Sequence, residues 1–193
     1  LNAIGYYGLD NQEYHKVKVI YVPCLLDGND GIFNMSYYDL LPGLDLTVFA
    51  SYYEPWGYTP LESVAFGVPT ITTDKAGFGL WVKKESKKSD SISNGVAVVN
   101  RTDFNFDEVA SRIENEVVSF SKMKDADVAK ISEKAKTFAD KASWDNFIAS
   151  YIEAYDKALS KGVKKSAAKK APSAKQTTET VEKPKRRCCA KKK

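Results

Sequence analysis

The chain has 193 residues, 43% of them hydrophobic, which favours one ordinary globular domain or a large piece of a bigger protein. Residues 161–193 hold 13 of the 29 Lys and Arg residues but two of the 25 Asp and Glu residues, so they carry +11 while residues 1–160 carry −7. No apolar run approaches the roughly 18 residues of a membrane span, and the first residues lack the pattern of a signal peptide. Composition therefore predicts no membrane partner and places the basic character in one segment.

Cysteine and histidine are too sparse for metal chemistry. The chain has a single histidine, His15, and three cysteines, Cys24, Cys188 and Cys189, without the spacing of a metal site. Nothing suggests a disulfide framework, so a reducing, cytoplasmic environment is expected. The sequence predicts no metal and no cofactor.

Three apolar runs rich in β-branched residues predict buried strands. These runs are residues 17–22, 44–51 and 68–73. Ser36 resembles an N-cap for a short helix that Pro42 and Gly43 end, with Asp39 in its first turn. A second helix is predicted from Pro60 to about residue 66, where Gly67 follows its end. The alternation of strands and helices predicts an α/β fold with a parallel sheet.

Beyond Gly79 the sequence predicts a polar surface loop over 81–95, a fourth strand over 96–99 and three helices. Asn105 with Glu108, and later Ser143, are suited to cap two of these helices. Apolar residues at helical spacing mark one face of each of these helices. They are Val109, Ile113 and Val117; Val128, Ile131, Ala135 and Phe138; and Phe147, Tyr151, Ile152, Tyr155 and Leu159. The periodicity ends near Gly162, so residues 161–193 are predicted to be a disordered Lys/Ala-rich tail.

Two carboxylates lie eight residues apart around the turn after the second strand. Glu54 lies in the turn, and Glu62 lies one helical turn into the helix that follows. Ligands of open parallel sheets bind beyond the carboxyl ends of the strands. Thr59 suits the N-cap and Pro60 the first helical position, so free N–H groups and the helix dipole would attract a diphosphate. Gly57 permits close approach of the backbone to a ligand. Glu62 would then fall at N3, where it completes a capping box, binds a ribose hydroxyl, or both.

The other residues of this turn each have a structural and a functional interpretation. Glu54 precedes any helix that it could cap, so it is either a solvated turn carboxylate or a reactive group. Trp56 and Tyr58 either cover the edge of the sheet or stack on a base or sugar ring. Taken singly, these residues do not decide between the interpretations.

The segment 51–79, SYYEPWGYTPLESVAFGVPTITTDKAGFG, closely resembles the glycogen synthase group of retaining glycosyltransferases, which carry a Glu-x7-Glu element. Here that element is Glu54 and Glu62. The resemblance covers roughly residues 5–160 and looks closest to bacterial members of Bacteroides type. It implies that residues 1–160 are the C-terminal nucleotide-sugar-binding domain of a GT-B glycosyltransferase, a Rossmann-like parallel sheet with flanking helices that is incomplete at its N-terminus.

The resemblance also implies roles for individual residues. Glu54 would be the catalytic carboxylate beside the transferred glucose. The substrate-binding residues would be Trp56 and Gly57 through backbone N–H groups at a sugar hydroxyl, Tyr58 near the base, Thr59 at the distal phosphate and Glu62 at the ribose. Whether Glu54 attacks covalently stays open, since the family is usually described with same-face attack guided by the leaving phosphate.

The implied reaction transfers glucose from UDP-glucose or ADP-glucose to the 4-hydroxyl at the non-reducing end of an α-1,4-glucan, with retention. The family's phosphate-binding Arg and Lys and its N-terminal domain lie upstream of residue 1, so this chain is expected to be inactive alone. The region corresponding to the family's arginine-rich sensor helix, residues 122–138, contains no arginine. We therefore expect no activation by glucose 6-phosphate, because bidentate capture of a phosphate by arginine is lost.

Two other functions compete with this one. The chain could be a non-catalytic module that binds a sugar nucleotide or a glucan. Alternatively, the basic runs at 183–187 and 191–193 could bind a polyanion such as nucleic acid. No aromatic residue interleaves these charges to stack on bases, so nucleic acid is the less favoured partner and a solvated extension the simpler interpretation.

Overall fold

The computed structural model of the chain describes residues 2–167. Within the described residues, the chain divides into two compact units, residues 2–147 and residues 148–167. The last helix continues to Ala167, so residues 161–167 of the predicted tail are helical. The prediction of disorder for residues 168–193 lies outside the described residues.

Helices and three short strands alternate through the described chain. The helices are α1 (Asn2–Tyr6), α2 (Tyr37–Leu40), α3 (Tyr58–Ala65), α4 (Gly77–Glu85), α5 (Phe106–Ser121), α6 (Asp125–Lys141) and α7 (Trp144–Ala167), and two 3-10 turns cover Leu41–Gly43 and Ile92–Asn94. The strands are β1 (Thr47–Phe49), β2 (Thr70–Thr73) and β3 (Val96–Val99).

The strands form one parallel sheet in the order β1-β2-β3. Thr70 of β2 aligns with Thr47 on one side and with Val96 on the other. Parallel neighbours require crossover connections, which α3 supplies between β1 and β2 and α4 supplies between β2 and β3. The carboxyl ends of the three strands therefore meet at one edge, the edge at which ligands bind in open α/β sheets.

Apolar clusters cover both faces of the sheet. One cluster combines side chains of α3, α4, β3 and α6, namely Val64, Phe78, Val82, Val96, Val98, Ala135 and Phe138. The other combines β2, β3, α5 and the second 3-10 turn, namely Ile71, Ile92, Ala97, Val99, Val109 and Phe120. Successive β3 residues point to opposite clusters, which explains why this strand is a continuous apolar run rather than an alternating one.

A buried group of hydroxyls fixes α3 on the sheet. Thr47 Oγ1 lies 2.6 Å from Ser63 Oγ and 2.9 Å from Thr70 Oγ1. All three side chains are buried, and buried hydroxyls stabilise a structure only when they are hydrogen-bonded. The turn that leads into α3 is therefore held at a fixed position over the sheet.

Several predicted elements are confirmed and two are wrong. Strands occur within 44–51, 68–73 and 96–99, and Ser36 caps α2 by accepting from the Asp39 N–H at 3.3 Å. Residues 17–22 form no strand. The backbone of Val19 is instead satisfied by the Asn11 side chain, which accepts from its N–H and donates to its carbonyl, both at 2.7 Å.

The second correction concerns the loop predicted over 81–95. Its first part belongs to α4, since Phe78 and Val82 are buried and place the lysine-rich side of the helix outward. The later helices begin at the predicted positions, but the side-chain cap predicted for Asn105 is absent. α5 follows Asn105 as its N-cap residue, although this side chain accepts from Thr102 instead of capping, and α7 begins directly after Ser143.

Within residues 2–167, none of the helices combines the length and the apolar character needed to cross a membrane. The same residues contain no cluster of three or more His, Cys, Asp or Glu side chains that could hold a metal ion.

Candidate functional site

The turn after β1 is attached to the start of α4 by backbone hydrogen bonds. Glu54 donates its N–H to the Lys75 carbonyl at 3.0 Å and accepts from the Gly77 N–H at 3.1 Å. Phe78 donates to the Trp56 carbonyl at 2.6 Å. This pairing extends the β1–β2 ladder past the last strand residues, so the position of Glu54 is set by the backbone of two adjacent connections.

Gly77 makes this attachment possible. A Cβ atom at Gly77 would overlap the Pro55 carbonyl oxygen and lie 3.0 Å from Trp56 Cα. The backbone of the turn therefore approaches α4 more closely than any side chain permits, which is one of the few structural requirements that only glycine meets.

The N-terminus of α3 differs from the predicted one. Its N-cap residue is Gly57, with φ at 105°, and the helix begins at Tyr58. Thr59 and Pro60 are thus the second and third helical residues, and Glu62 is the fifth. The prediction of Thr59 as N-cap and Glu62 as the partner in a capping box is wrong, because the left-handed conformation of Gly57 starts the helix two residues earlier.

The Glu54 carboxylate lies beside Gly57 and the first turn of α3. It is half-buried, and Ser51 Oγ donates to its Oε2 at 3.3 Å. A Cβ atom added to Gly57 would sit 3.6 Å from the same oxygen. Within the described residues, Glu54 takes part in no ion pair. An anionic group thus adjoins a helix N-terminus without a cation to neutralise it.

The helix dipole and the free N–H groups of α3 point to the same place. In the described chain, no hydrogen bond involves the backbone N–H of Tyr58 or Thr59. Both side chains are exposed. Such donors, together with the positive end of the dipole, suit an anion such as a phosphate.

Trp56 has a structural role through its ring. The ring packs against Phe78, Trp81 and Phe147 with centroid separations of 6.1, 6.1 and 5.6 Å. Its side chain therefore belongs to the apolar cluster below the turn, while its backbone remains at the ligand edge. The ring of Trp56 therefore has the structural role, and not the alternative role of stacking on a base or sugar ring.

Glu62 is held by a tyrosine that the sequence did not single out. Tyr38 donates its hydroxyl to Glu62 Oε1 at 2.9 Å, and its ring stacks on Phe66. The hydrogen bond to the carboxylate raises the pKa of Tyr38 above its ordinary value. Burial and the same carboxylate raise the pKa of neighbouring Tyr37. One oxygen of Glu62 is thus engaged by α2, which leaves the other available to a ligand.

Further polar residues follow β2 and β3, and sequence reasoning missed them. Asp74 accepts from the Arg101 backbone N–H at 3.0 Å and from Asn100 Nδ2 at 2.6 Å. Lys75 and Lys83 lie 3.7 and 3.6 Å from its oxygens. Burial alone would raise the pKa of Asp74, but these donors and cations together lower it below the ordinary value. Asp74 therefore ties the connections after β2 and β3 together.

Arg101 ties the connection after β3 to the one after β1. Its Nη1 donates to the Ala50 carbonyl at 2.8 Å, and its guanidinium carbon lies 3.4 Å from the centre of the Tyr52 ring. Its position in the sequence could have identified Arg101, because it is the first basic residue after the carboxyl end of a predicted strand. A charge at such an end lies at the ligand edge of the sheet.

The structure therefore brings Glu54, Gly57 and the N–H groups of Tyr58 and Thr59 together at the start of α3. Trp56 contributes only its backbone to that edge. Glu62 lies farther along α3 in the company of Tyr38. Two surface cavities of about 570 and 790 Å³ lie elsewhere, one beside Lys83 and Arg112 and the other beside Leu46 and Phe120.

Together these features define a Rossmann-like α/β domain whose ligand edge carries a helix N-terminus beside a half-buried carboxylate. A family model described as glycogen synthase matches residues 1–190. The chain belongs to the glycogen synthase family.

Individual relatives agree with this assignment. The chain is similar to glycogen [starch] synthase isoform 2 of Saccharomyces cerevisiae, with 32% identity over 84% of the chain and 23% of the relative. It is similar to glycogen [starch] synthase of Neurospora crassa, with 30% identity over 82% of the chain and 22% of the relative. It also matches the mouse liver enzyme at 40% identity over 52% of the chain and 14% of the relative. The chain thus spans less than a quarter of the length of the curated relatives it matches.

Proposed function

We propose that the chain forms the donor-binding wall of a retaining glycosyltransferase that moves glucose from a nucleotide diphosphate onto an α-1,4-glucan. The relatives are glycogen [starch] synthases, which supports the glucan product. The observation that carries the proposal is the Glu54 carboxylate beside the unoccupied N–H groups at the start of α3. Transfer of a glycosyl group needs both the carboxylate and the N–H groups. The departing diphosphate requires hydrogen-bond donors, and the cationic sugar requires a nearby anion.

In this proposal the residues of the turn divide between the two halves of the donor. Glu54 faces the transferred glucose, where its charge stabilises an oxocarbenium-like sugar. The backbone N–H groups of Trp56 and Gly57 bind a sugar hydroxyl. Tyr58 lies near the base, and Thr59 binds the distal phosphate through its backbone N–H.

Glu62 binds the ribose through the oxygen that Tyr38 leaves free. The hydroxyl of Tyr38 holds the other oxygen at 2.9 Å, so the carboxylate meets the ribose in one orientation. Fixing a side chain before the ligand arrives lowers the entropy that binding would otherwise cost.

The proposed site stabilises the transition state more than the ground state. Negative charge grows on the leaving diphosphate as the glycosidic bond breaks, so N–H donors that are already oriented stabilise it more in the transition state than before. The backbone bonds between Glu54 and Gly77 fix this arrangement without substrate. The donor is a substrate, and the proposed reaction uses no separate cofactor.

A labelled-glucose assay tests the proposal. The full-length protein is incubated with glycogen and with radiolabelled UDP-glucose or ADP-glucose, and label in the polymer is counted. We expect incorporation from at least one donor, in linkages that an exo-acting α-1,4-glucan hydrolase releases. Glu54→Gln is expected to abolish incorporation. Glu133→Gln, at an exposed glutamate on α6, is the matched control and keeps the normal rate.

Titration of the same protein with UDP-glucose and ADP-glucose, followed by tryptophan fluorescence, tests the alternative of a non-catalytic module. Donor binding without incorporation from either donor would reject the transferase and support a binding role. Incorporation that survives in Glu54→Gln would reject the assignment of Glu54. We include a cytoplasmic location in the proposal, because both nucleotide sugars and a chain with few cysteines fit that compartment.

A further inference from the structure

Arg101 is a buried charge with unusual partners. It is only 5% exposed, yet in the described chain no carboxylate oxygen lies within ion-pair distance of its guanidinium. Its partners are the Ala50 carbonyl and the Tyr52 ring, and its buried Nε has none. Burying a guanidinium without a counter-ion is costly. An apolar side chain would pack there at lower cost, so the arginine needs another reason to be present.

The contacts of Arg101 indicate that reason. They fall on Ala50 and Tyr52, the residues on either side of Ser51. Thr73 Oγ1 donates to the Ser51 carbonyl at 2.7 Å. Three successive residues are therefore held by Thr73 of β2 and by Arg101, which follows β3. Ser51 Oγ then donates to Glu54 Oε2 at 3.3 Å.

We propose that Arg101 and Ser51 are positioning residues for Glu54, an inference that rests on the proposed function of that carboxylate. Arg101 clamps the backbone around Ser51, and Ser51 orients the carboxylate toward the start of α3. The planar guanidinium is needed because one group donates in its plane to a carbonyl while its face covers an aromatic ring, which the ammonium of lysine does not reproduce. Neither residue touches the donor in this assignment.

Substitutions at Ser51 test the last link in the full-length protein. Ser51→Ala removes the hydroxyl and is expected to lower kcat about tenfold while the donor KM stays within about twofold, because a small misplacement of a reacting group affects rate more than binding. Ser51→Thr keeps the hydroxyl and is expected to restore most of kcat. Ser121→Ala, at an exposed serine of α5, is the matched control and leaves both constants unchanged.

Substitution of Arg101 tests the clamp by a measurement that needs no activity. Arg101→Lys is expected to accelerate amide hydrogen exchange in residues 51–57 several-fold and to lower kcat about 10- to 100-fold. Arg112→Lys is the matched control, since Arg112 is a half-exposed arginine of α5 paired with Glu116. It should change neither exchange at 51–57 nor kcat. If Arg101→Lys fails to fold, the Ser51→Ala and Ser51→Thr variants alone test the inference.

The outcomes separate this inference from the proposed function. A normal kcat for Ser51→Ala, or a Ser51→Thr variant as slow as Ser51→Ala, overturns it even when Glu54→Gln is inactive and the transferase stands. A raised donor KM with normal kcat in Arg101→Lys also overturns it, because that result means direct contact with the donor. If the unaltered protein transfers no glucose, the proposed function fails, and exchange at 51–57 then decides whether Arg101 fixes the turn.

Discussion

Replacement of Gly77 by alanine perturbs the attachment between the turn after β1 and the start of α4. The added Cβ would overlap the Pro55 carbonyl oxygen and lie 3.0 Å from Trp56 Cα. Both neighbours are backbone atoms, so no side-chain rotation relieves the clash. The turn must move away from α4 by about 1 Å, which is the scale at which misplaced groups lose catalytic efficiency.

The magnitude follows from three terms. Overpacking of this kind costs about 1–3 kcal/mol, and the bonds from Gly77 to Glu54 and from Phe78 to Trp56 weaken by a fraction of the roughly 1 kcal/mol each contributes. Reduced entropy of the unfolded chain returns about 0.4–1 kcal/mol. We therefore expect Gly77→Ala to lower the local free energy of opening by about 1–3 kcal/mol, and kcat about 100-fold.

Hydrogen exchange and the glucose-transfer assay on the full-length protein measure the two effects separately. Exchange should accelerate in residues 54–57 and 75–80, while β3 keeps its protection. Gly43→Ala is the matched control, since a Cβ there meets nothing within 4 Å. It should be neutral or slightly stabilising. If Gly77→Ala behaves like Gly43→Ala in both assays, the turn is not held by close backbone packing and the reasoning fails.

Three further predictions concern the site, and a fourth concerns α6. Glu54→Gln should abolish transfer yet change the melting temperature little, since Ser51 can donate to the amide oxygen as it does to the carboxylate; a large loss of stability would contradict this. Tyr38→Phe should raise the donor KM about two- to tenfold through loss of one hydrogen bond to Glu62, with kcat retained; an unchanged KM argues against Glu62 as a donor ligand. The pKa of Asp74 is lowered in the folded state, so the stability that its carboxylate contributes is complete above pH 3.8 and is lost as pH falls through the lower folded value. Asp74→Asn should therefore lower the free energy of unfolding at pH 7. In urea titrations, the variant should also lose less stability than the unaltered protein as the pH is lowered. Glucose 6-phosphate should leave the transfer rate of the full-length protein unchanged; a several-fold increase would refute that prediction.

The basis of the last prediction is visible in α6. Three of the four lysines of this helix have partners in the described structure: Lys130 bonds to Asp127, Lys136 to Glu133, and Lys134 to the Ser93 carbonyl. None of these side chains offers the planar fork that arginine presents to a phosphate. The helix is therefore a poor receptor for a phosphate.

Sequence reasoning identified the strands and helices that pack against other elements of the described chain. β2 and β3 are rich in β-branched residues and are buried along their whole length, because helices cover both faces of the sheet. The run at 17–22 has the same composition but lacks such cover. Val17, Ile20 and Tyr21 are more than half exposed, and the Asn11 side chain supplies the hydrogen bonds that a neighbouring strand would have made. Local composition indicates a tendency to be buried, but a strand forms only where a neighbouring strand pairs with it.

The start of α3 shows why the site was harder to predict than the fold. Pro60 is compatible with the first turn of a helix at more than one position, so the sequence favours Thr59 as N-cap but does not require it. The left-handed conformation of Gly57 decides the matter, and that conformation depends on the packing of Phe78 and Pro60 around it. Tertiary packing thus shifted the helix start by two residues.

That shift changes the meaning of the two glutamates. Glu62 loses its capping role and gains Tyr38, so its carboxylate is oriented by α2 and is free to bind on one side. Glu54 is placed by bonds to Lys75 and Gly77 and oriented by Ser51. The two carboxylates are therefore positioned by different elements, one by α2 and one by the connection after β2. Substitutions that loosen the start of α4 should consequently impair the role of Glu54 first, and substitutions in α2 should impair that of Glu62.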